Sequence, residues 1–140
     1  MNRRDAAILV IVAWLANQAV GYGLLGYPQT VDSFAWGIAI GWSALFALGA
    51  AMSVEERLSN KGPLVTTAVA FLAAFTVYET ALYGTSFLLP AGDVAFSLST
   101  VGWILAINTL AMVLLLALNR FAIALGLTET PEDYLVPKRA

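Results

Sequence analysis

The sequence contains no cysteine and no histidine. Without cysteine there is no disulfide, no thiolate metal ligand and no cysteine nucleophile. Without histidine the chain lacks the imidazole that haem, copper and most zinc sites use as a ligand. We therefore expect no cofactor held by its own side chains, no metal site and no catalytic residue, and we predict that the protein is not an enzyme.

Charged residues are also scarce. They make up 11% of the sequence, whereas hydrophobic residues make up 60% and the mean hydropathy is +0.80. This composition leaves too little polar surface for a soluble domain of 140 residues, so we expect the lipid bilayer to be its solvent. The net charge of −2 and the lack of a large basic patch indicate no binding to nucleic acid.

The sequence consists mainly of four long stretches without a charged residue, at residues 6–31, 33–54, 62–78 and 94–119. A helix needs roughly 20 apolar residues to cross a hydrocarbon core of about 30 Å, and the third stretch reaches that length only by including Glu79. None shows the strict alternation of a β-barrel strand. We predict a single-domain (1–140), all-α integral membrane four-helix bundle, with helices at about 6–26, 34–53, 64–84 and 100–125.

The seven cationic residues all fall on one side of a chain that crosses four times. By the positive-inside rule that side is the cytoplasm. The opposite connections, at 27–33 and 85–99, carry only Asp32 and Asp93. We expect a multi-pass protein of a prokaryotic cytoplasmic membrane with both termini inside. The cations are Arg3, Arg4, Arg57, Lys61, Arg120, Lys138 and Arg139.

The start of the chain also fits a secretory signal peptide, because two arginines precede an apolar run. A signal peptide needs a small-x-small cleavage site, and Asn17 puts a bulky polar side chain at the outer flank of the candidate Asn17-Gln18-Ala19. We therefore expect the first helix to stay attached to the mature chain.

Glycine spacing and turn residues predict how the helices pack and end. Gly37-x-x-x-Gly41, with Gly49 further along, predicts a face that lets another helix approach closely, in this chain or in a partner. Ser53 and Glu56 stand in capping-box spacing, which predicts that helix two ends at 53 and that 54–60 form a surface turn. The apolar connection 85–99 is expected to turn within the outer membrane interface.

Four tryptophans divide into two groups by depth. Trp36 and Trp103 lie near the predicted outer boundary, where aromatic side chains typically anchor helices. Trp14 and Trp42 lie deeper, so we expect them to fill gaps between helices or to face lipid.

Glu79 is the candidate functional residue, because carboxylates inside membrane helices are costly and often functional. No cation lies at its predicted depth, so we expect it to be protonated or to be reached by water or a cationic ligand. Other polar side chains are predicted at a similar depth or on the same helix stripe. They are Asn17, Gln18, Asn108, Thr76 and Tyr83. This set is either a site for a proton or cation or a group of hydrogen bonds between helices.

Two functions are consistent with the sequence. The first is a non-catalytic accessory or scaffold subunit of a larger membrane complex, which contacts other subunits or itself through the glycine face, connection 85–99 and the long inner end of helix four. The second is a small oligomeric transporter or channel for protons or a cationic solute that uses Glu79. A holin or a virion membrane protein would share most of these features.

Overall fold

The structure, a computed structural model, describes residues 2–90 and 95–127. It contains α1 (Arg3–Gly23), α2 (Val31–Leu58), α3 (Pro63–Thr85) and α4 (Leu98–Ala124). All four are long and apolar enough to cross a membrane, and the two described ranges contain no β-strand. The prediction of an all-α chain with four membrane-length helices is confirmed. Four such helices indicate a multi-pass membrane protein.

Some predictions concern residues outside the described ranges. Residues 91–94, which include Asp93 in the predicted outer connection, lie outside them, and so do 128–140, which include the cations Lys138 and Arg139.

Three helices begin at a polar side chain that caps the first turn. These are Asn2 before α1, Thr30 before α2 and Ser97 before α4, each accepting a hydrogen bond of 3.2 Å from a backbone N–H. A cap satisfies a donor that the helix leaves unpaired, so the helix can begin before its apolar run does. Accordingly α1, α2 and α4 begin at Arg3, Val31 and Leu98, earlier than the predicted 6, 34 and 100.

Glycine and proline set the boundary between α2 and α3. Gly62 has φ +86, a conformation that favours glycine, and Pro63 follows at the first helical position, where no N–H is needed. The Thr66 hydroxyl donates to the Leu58 carbonyl at 2.7 Å, which ties the start of α3 to the end of α2. Only four residues, 59–62, therefore join the two helices.

The predicted end of helix two at 53 is wrong. α2 continues to Leu58, and the Ser53 hydroxyl donates to the Gly49 carbonyl of the preceding turn at 2.8 Å rather than capping a new helix. Residues 54–58 contain no helix breaker, and a serine inside a helix can satisfy its hydroxyl in this way. The predicted surface turn 54–60 is thus mostly the last turn of α2.

The predicted end of helix one at Gly26 is also too late. α1 ends at Gly23, and Gly26 adopts φ +68. The Tyr27 N–H then bonds the Gly21 carbonyl at 3.0 Å, and the Tyr27 ring lies against Gly21. A left-handed glycine of this kind closes a helix end by returning N–H groups to free carbonyls.

By its contacts the chain divides into two units, Met1–Phe96 and Ser97–Ala140. In the first unit α2 packs against both α1 and α3. Its most buried side chains are small, namely Ser43, Ala6 and Ala70. The Ser43 hydroxyl donates to the Ala39 carbonyl at 2.8 Å, so this buried polar group is satisfied. Small residues here allow the helix backbones to approach closely.

The second unit contains α4. Its 27 residues give a length of about 40 Å, more than the hydrocarbon core requires. None of its residues is buried, and its exposed side chains are mainly leucine, isoleucine, valine and aromatic. Gly126, with φ +68, follows its last turn. Such a helix is suited to lie among apolar neighbours along most of its length.

Candidate functional site

Glu79 lies in the last third of α3, about 9 Å along the helix from Thr85. Its side chain is partly exposed, and within residues 2–90 and 95–127 it forms no hydrogen bond or ion pair. Lys61 lies beyond the other end of α3, and the axis from Pro63 to Glu79 is about 24 Å long. This lysine therefore cannot neutralise the carboxyl group.

Thr76 and Tyr83, the two predicted neighbours of Glu79 on α3, form contacts with other residues. The Thr76 hydroxyl donates to the Leu72 carbonyl at 2.8 Å, within its own helix. Tyr83 packs edge-on against Phe87 and Phe96, with ring centroids 5.1 Å and 5.6 Å away. Both residues share the stripe of Glu79, but neither hydrogen-bonds its carboxyl group.

The adjacent amides Asn17 and Gln18 face different surroundings. Gln18 is half-buried, and its Oε1 would lie 2.7 Å from a Cβ added at Gly37, so it points towards α2. Asn17 is exposed, and its side chain has no hydrogen-bond partner among the described residues. Since successive helical residues are rotated by about 100°, the two amides do not form one site.

Asn108 belongs to the second unit, on α4. Its Nδ2 donates to the Ile104 carbonyl at 2.9 Å, and the next residue, Thr109, donates to Leu105 at 2.8 Å. Both polar side chains are thus satisfied by their own helix. The side chain of Asn108 is exposed, and its carbonyl oxygen is left as an acceptor.

The glycine face of α2 is covered by α1. The Trp14 Nε1 donates to the Gly37 carbonyl at 2.7 Å, and a Cβ added at Gly41 would lie 2.9 Å from Trp14 Cε2. Gly37 and Gly41 therefore serve packing inside the chain. Gly49 differs, because nothing lies within 4 Å of its Cβ position.

Aromatic residues near the start of α2 and the end of α3 contact two residues of the segment between α3 and α4, Pro90 and Phe96. The Trp36 Nε1 donates to the Pro90 carbonyl at 2.9 Å. Phe96 packs against both Trp36 and Tyr83, with centroids 6.4 Å and 5.6 Å away. Trp36 thus binds a connecting segment of its own chain. Sequence reasoning named Trp36 only as a membrane anchor and did not identify Phe96 or Pro90 as its partners.

The polar side chains around Glu79 and Asn17 allow only a few kinds of chemistry. Glu79 can exchange a proton or pair with a cation, but within the described residues no second titratable side chain bonds to it. Direct proton transfer from one side chain to the next needs such a bond. The unpaired Asn17 amide offers two donors and one acceptor oxygen to whatever lies beside α1.

No protein-family model, no curated protein and no solved structure matches this chain.

Proposed function

We propose that this chain is a non-catalytic accessory or scaffold subunit of a larger membrane protein complex. In this proposal its helices form a bundle and both termini lie in the cytoplasm. The orientation is supported by the seven cations, which four crossings place on one side. The subunit role is supported by an exposed surface of α1 in which small or apolar side chains surround one amide.

That surface is centred on Asn17. Ala13, Ala16 and Val20 are exposed beside it, at the spacing of one helix face. We refer to Ala13, Ala16, Asn17 and Val20 as the Asn17 face. Asn17 is about 9 Å along the axis from Gly23, the last residue of α1, and therefore lies at hydrocarbon depth in a spanning helix.

An unpaired amide at that depth is costly. Moving an amide from water to an apolar medium without a hydrogen bond costs roughly 2–7 kcal/mol. Polar side chains in membrane helices accordingly face other helices and hydrogen-bond across them. The small alanines beside Asn17 would let a neighbouring helix approach closely enough to bond the amide. This unpaired amide on a small-residue face is the observation on which the proposal depends.

The test is site-specific photo-crosslinking in the native membrane. A photoreactive residue at position 17 should form a discrete adduct with a partner chain, whereas one at 15, about 200° around the helix, should react mainly with lipid. Leu15 is a suitable control because it is 51% exposed. Asn17→Leu should reduce recovery of the partner in mild detergent, and Leu15→Ala should not. Equal crosslinking at both positions would contradict the proposal.

A second candidate function is transport of protons or a cationic solute by an oligomer of this chain. The specific observation in its favour is Glu79, a partly exposed carboxyl group without an ion pair in the described residues. Glu79→Gln separates the two candidates. Lost flux with intact assembly supports transport, whereas intact assembly with unchanged flux in reconstituted vesicles supports the subunit role.

A further inference from the structure

A groove runs between α1 and α2 on the side of the first unit. Its volume is about 260 Å³, and aliphatic and aromatic side chains line it almost completely. Two indoles contribute to the lining, and the N–H of one of them, Trp14, already donates to the Gly37 carbonyl. The lining residues are Val10, Ile11, Trp14, Ile38, Gly41, Trp42 and Leu45. An occupant would therefore be held mainly by apolar contact along this part of its length.

The spacing of two packed helices favours an alkyl chain over a helix as the occupant of the groove. Two packed helices lie 8–10 Å apart, and a third helix is about 10–12 Å across with its side chains. A third helix would lie over such a groove, whereas a single alkyl chain can enter it. Val10 is about 10 Å along the axis from Arg3, and Ile38 is about 10 Å from the start of α2 at Val31. The groove therefore lies near the middle of the membrane, and its Val10 end is nearer the leaflet that holds the start of the chain.

The two arginines above the groove differ in their pairing. Arg3 lies about two turns from Val10 on the same helix face and is paired with Glu56 of α2. Arg4 lies about two turns from Ile11 on the same face, is exposed and has no salt bridge among the described residues. Arg4 therefore offers, at the membrane surface above the groove, a guanidinium that no described residue holds in a salt bridge; Asp5 is its neighbour in sequence.

We propose that this groove binds one acyl chain of an anionic phospholipid whose phosphate is held by the Arg4 guanidinium. Basic positions beside clefts between membrane helices bind anionic lipid headgroups, and a guanidinium can bond two phosphate oxygens at once. The indole of Trp14, fixed by its hydrogen bond, forms a rigid wall for the acyl chain. The proposal is independent of the subunit role and of the Asn17 face.

Brominated lipids test the proposal, because bromine quenches nearby tryptophan and two tryptophans line the groove. In a Trp36→Phe/Trp103→Phe background, only Trp14 and Trp42 report. The protein is reconstituted in phosphatidylcholine vesicles and titrated with brominated phosphatidylglycerol or brominated phosphatidylcholine. We expect the anionic lipid to quench at an about fivefold lower mole fraction, since a surface cation contributes about 1 kcal/mol.

Arg4→Gln should remove that preference, and Arg4→Lys should retain part of it. Arg57→Gln is the matched control, because Arg57 is also exposed near the same end of the helices but lies about 120° around α2 from Leu45. Equal quenching by both lipids in the parent, or equal loss in Arg4→Gln and Arg57→Gln, would overturn the proposal. Quenching that depends on protein density and not on lipid type would instead assign the groove to a second copy of the chain.

Discussion

The Trp14 indole nitrogen donates to the Gly37 carbonyl oxygen at 2.7 Å, a hydrogen bond that joins α1 to α2. A helix carbonyl has a second lone pair, so it can accept this bond without losing its own helical partner. The bond fixes the indole over Gly41, where a missing side chain makes room for it. One contact thus combines close packing with a polar bond at membrane depth.

Trp14→Phe should weaken the pairing of α1 with α2 while keeping an aromatic ring in place. We expect the free energy of unfolding to fall by about 0.5–1.5 kcal/mol, the usual contribution of one hydrogen bond. Unfolding in mixed micelles measures this difference. Trp103→Phe on α4 is the control, since Trp103 is 69% exposed and should give a smaller change. Equal effects of the two substitutions would show that the Trp14 bond contributes nothing specific.

Alanine substitutions should distinguish the three glycines of α2. At Gly41 a methyl group would lie 2.9 Å from the indole of Trp14, which cannot shift without disturbing its hydrogen bond. After allowing for the better helix propensity of alanine, we expect Gly41→Ala to destabilise by about 1–2 kcal/mol.

Gly37→Ala should cost less, because the crowded atom there is the end of the flexible Gln18 side chain. Gly49→Ala meets nothing within 4 Å and should be neutral or stabilising by up to about 1 kcal/mol. The same unfolding assay ranks all three variants. A ranking in which Gly49→Ala is the most damaging would contradict the described packing.

Loss of the Trp36 bond should loosen the connection between α3 and α4. Trp36→Phe removes the hydrogen bond to the Pro90 carbonyl but keeps an aromatic ring next to Phe96. We expect amide hydrogen exchange over residues 86–89 to become roughly fivefold faster, as the loss of about 1 kcal/mol implies. Exchange in α1 should stay unchanged and serves as the internal control. Unchanged protection over 86–89 would mean that the bond does not hold this segment.

The salt bridge between Arg3 and Glu56 should contribute little to stability although it marks a real proximity. Both side chains are largely exposed, and exposed ion pairs are worth about 0–1 kcal/mol. Glu56→Gln should therefore change the unfolding free energy by less than about 1 kcal/mol.

The proximity of Arg3 and Glu56 is tested by crosslinking. The chain has no native cysteine, so an Arg3→Cys/Glu56→Cys pair can be joined specifically by oxidation or a short dithiol reagent. Arg3→Cys with Asn60→Cys provides a comparison pair. Failure of the first pair to crosslink faster than the second would argue against the described contact.

Hydrophobic run length carried most of the fold prediction. The runs are long enough to cross the membrane as helices and lack the alternation of barrel strands, so the four helices follow from the sequence. The helix ends were less predictable, because they depend on single side chains. Ser53 has the spacing of a capping residue, but inside a continuing helix its hydroxyl bonds back to Gly49 instead.

Partners of individual residues could not be predicted from the pattern. Spacing showed that Gly37 and Gly41 share a face, but not that Trp14 would cover it, since several α1 side chains are of suitable size and depth. Likewise, depth alone grouped Asn17 with Gln18, and the rotation between successive helical residues separates them. A functional role for Glu79 stays a prediction, and the Glu79→Gln variant tests it.

We propose that the chain crosses the membrane four times and leaves both ends on the cytoplasmic side. Single cysteines at Asn2, Gln29, Asn60 and Leu127, each labelled with a membrane-impermeant thiol reagent, test it most directly because no native cysteine interferes. We predict that in intact cells only the cysteine at 29 is labelled, and that the other three react after permeabilisation. Labelling of positions 2 and 127 from opposite sides would contradict the account.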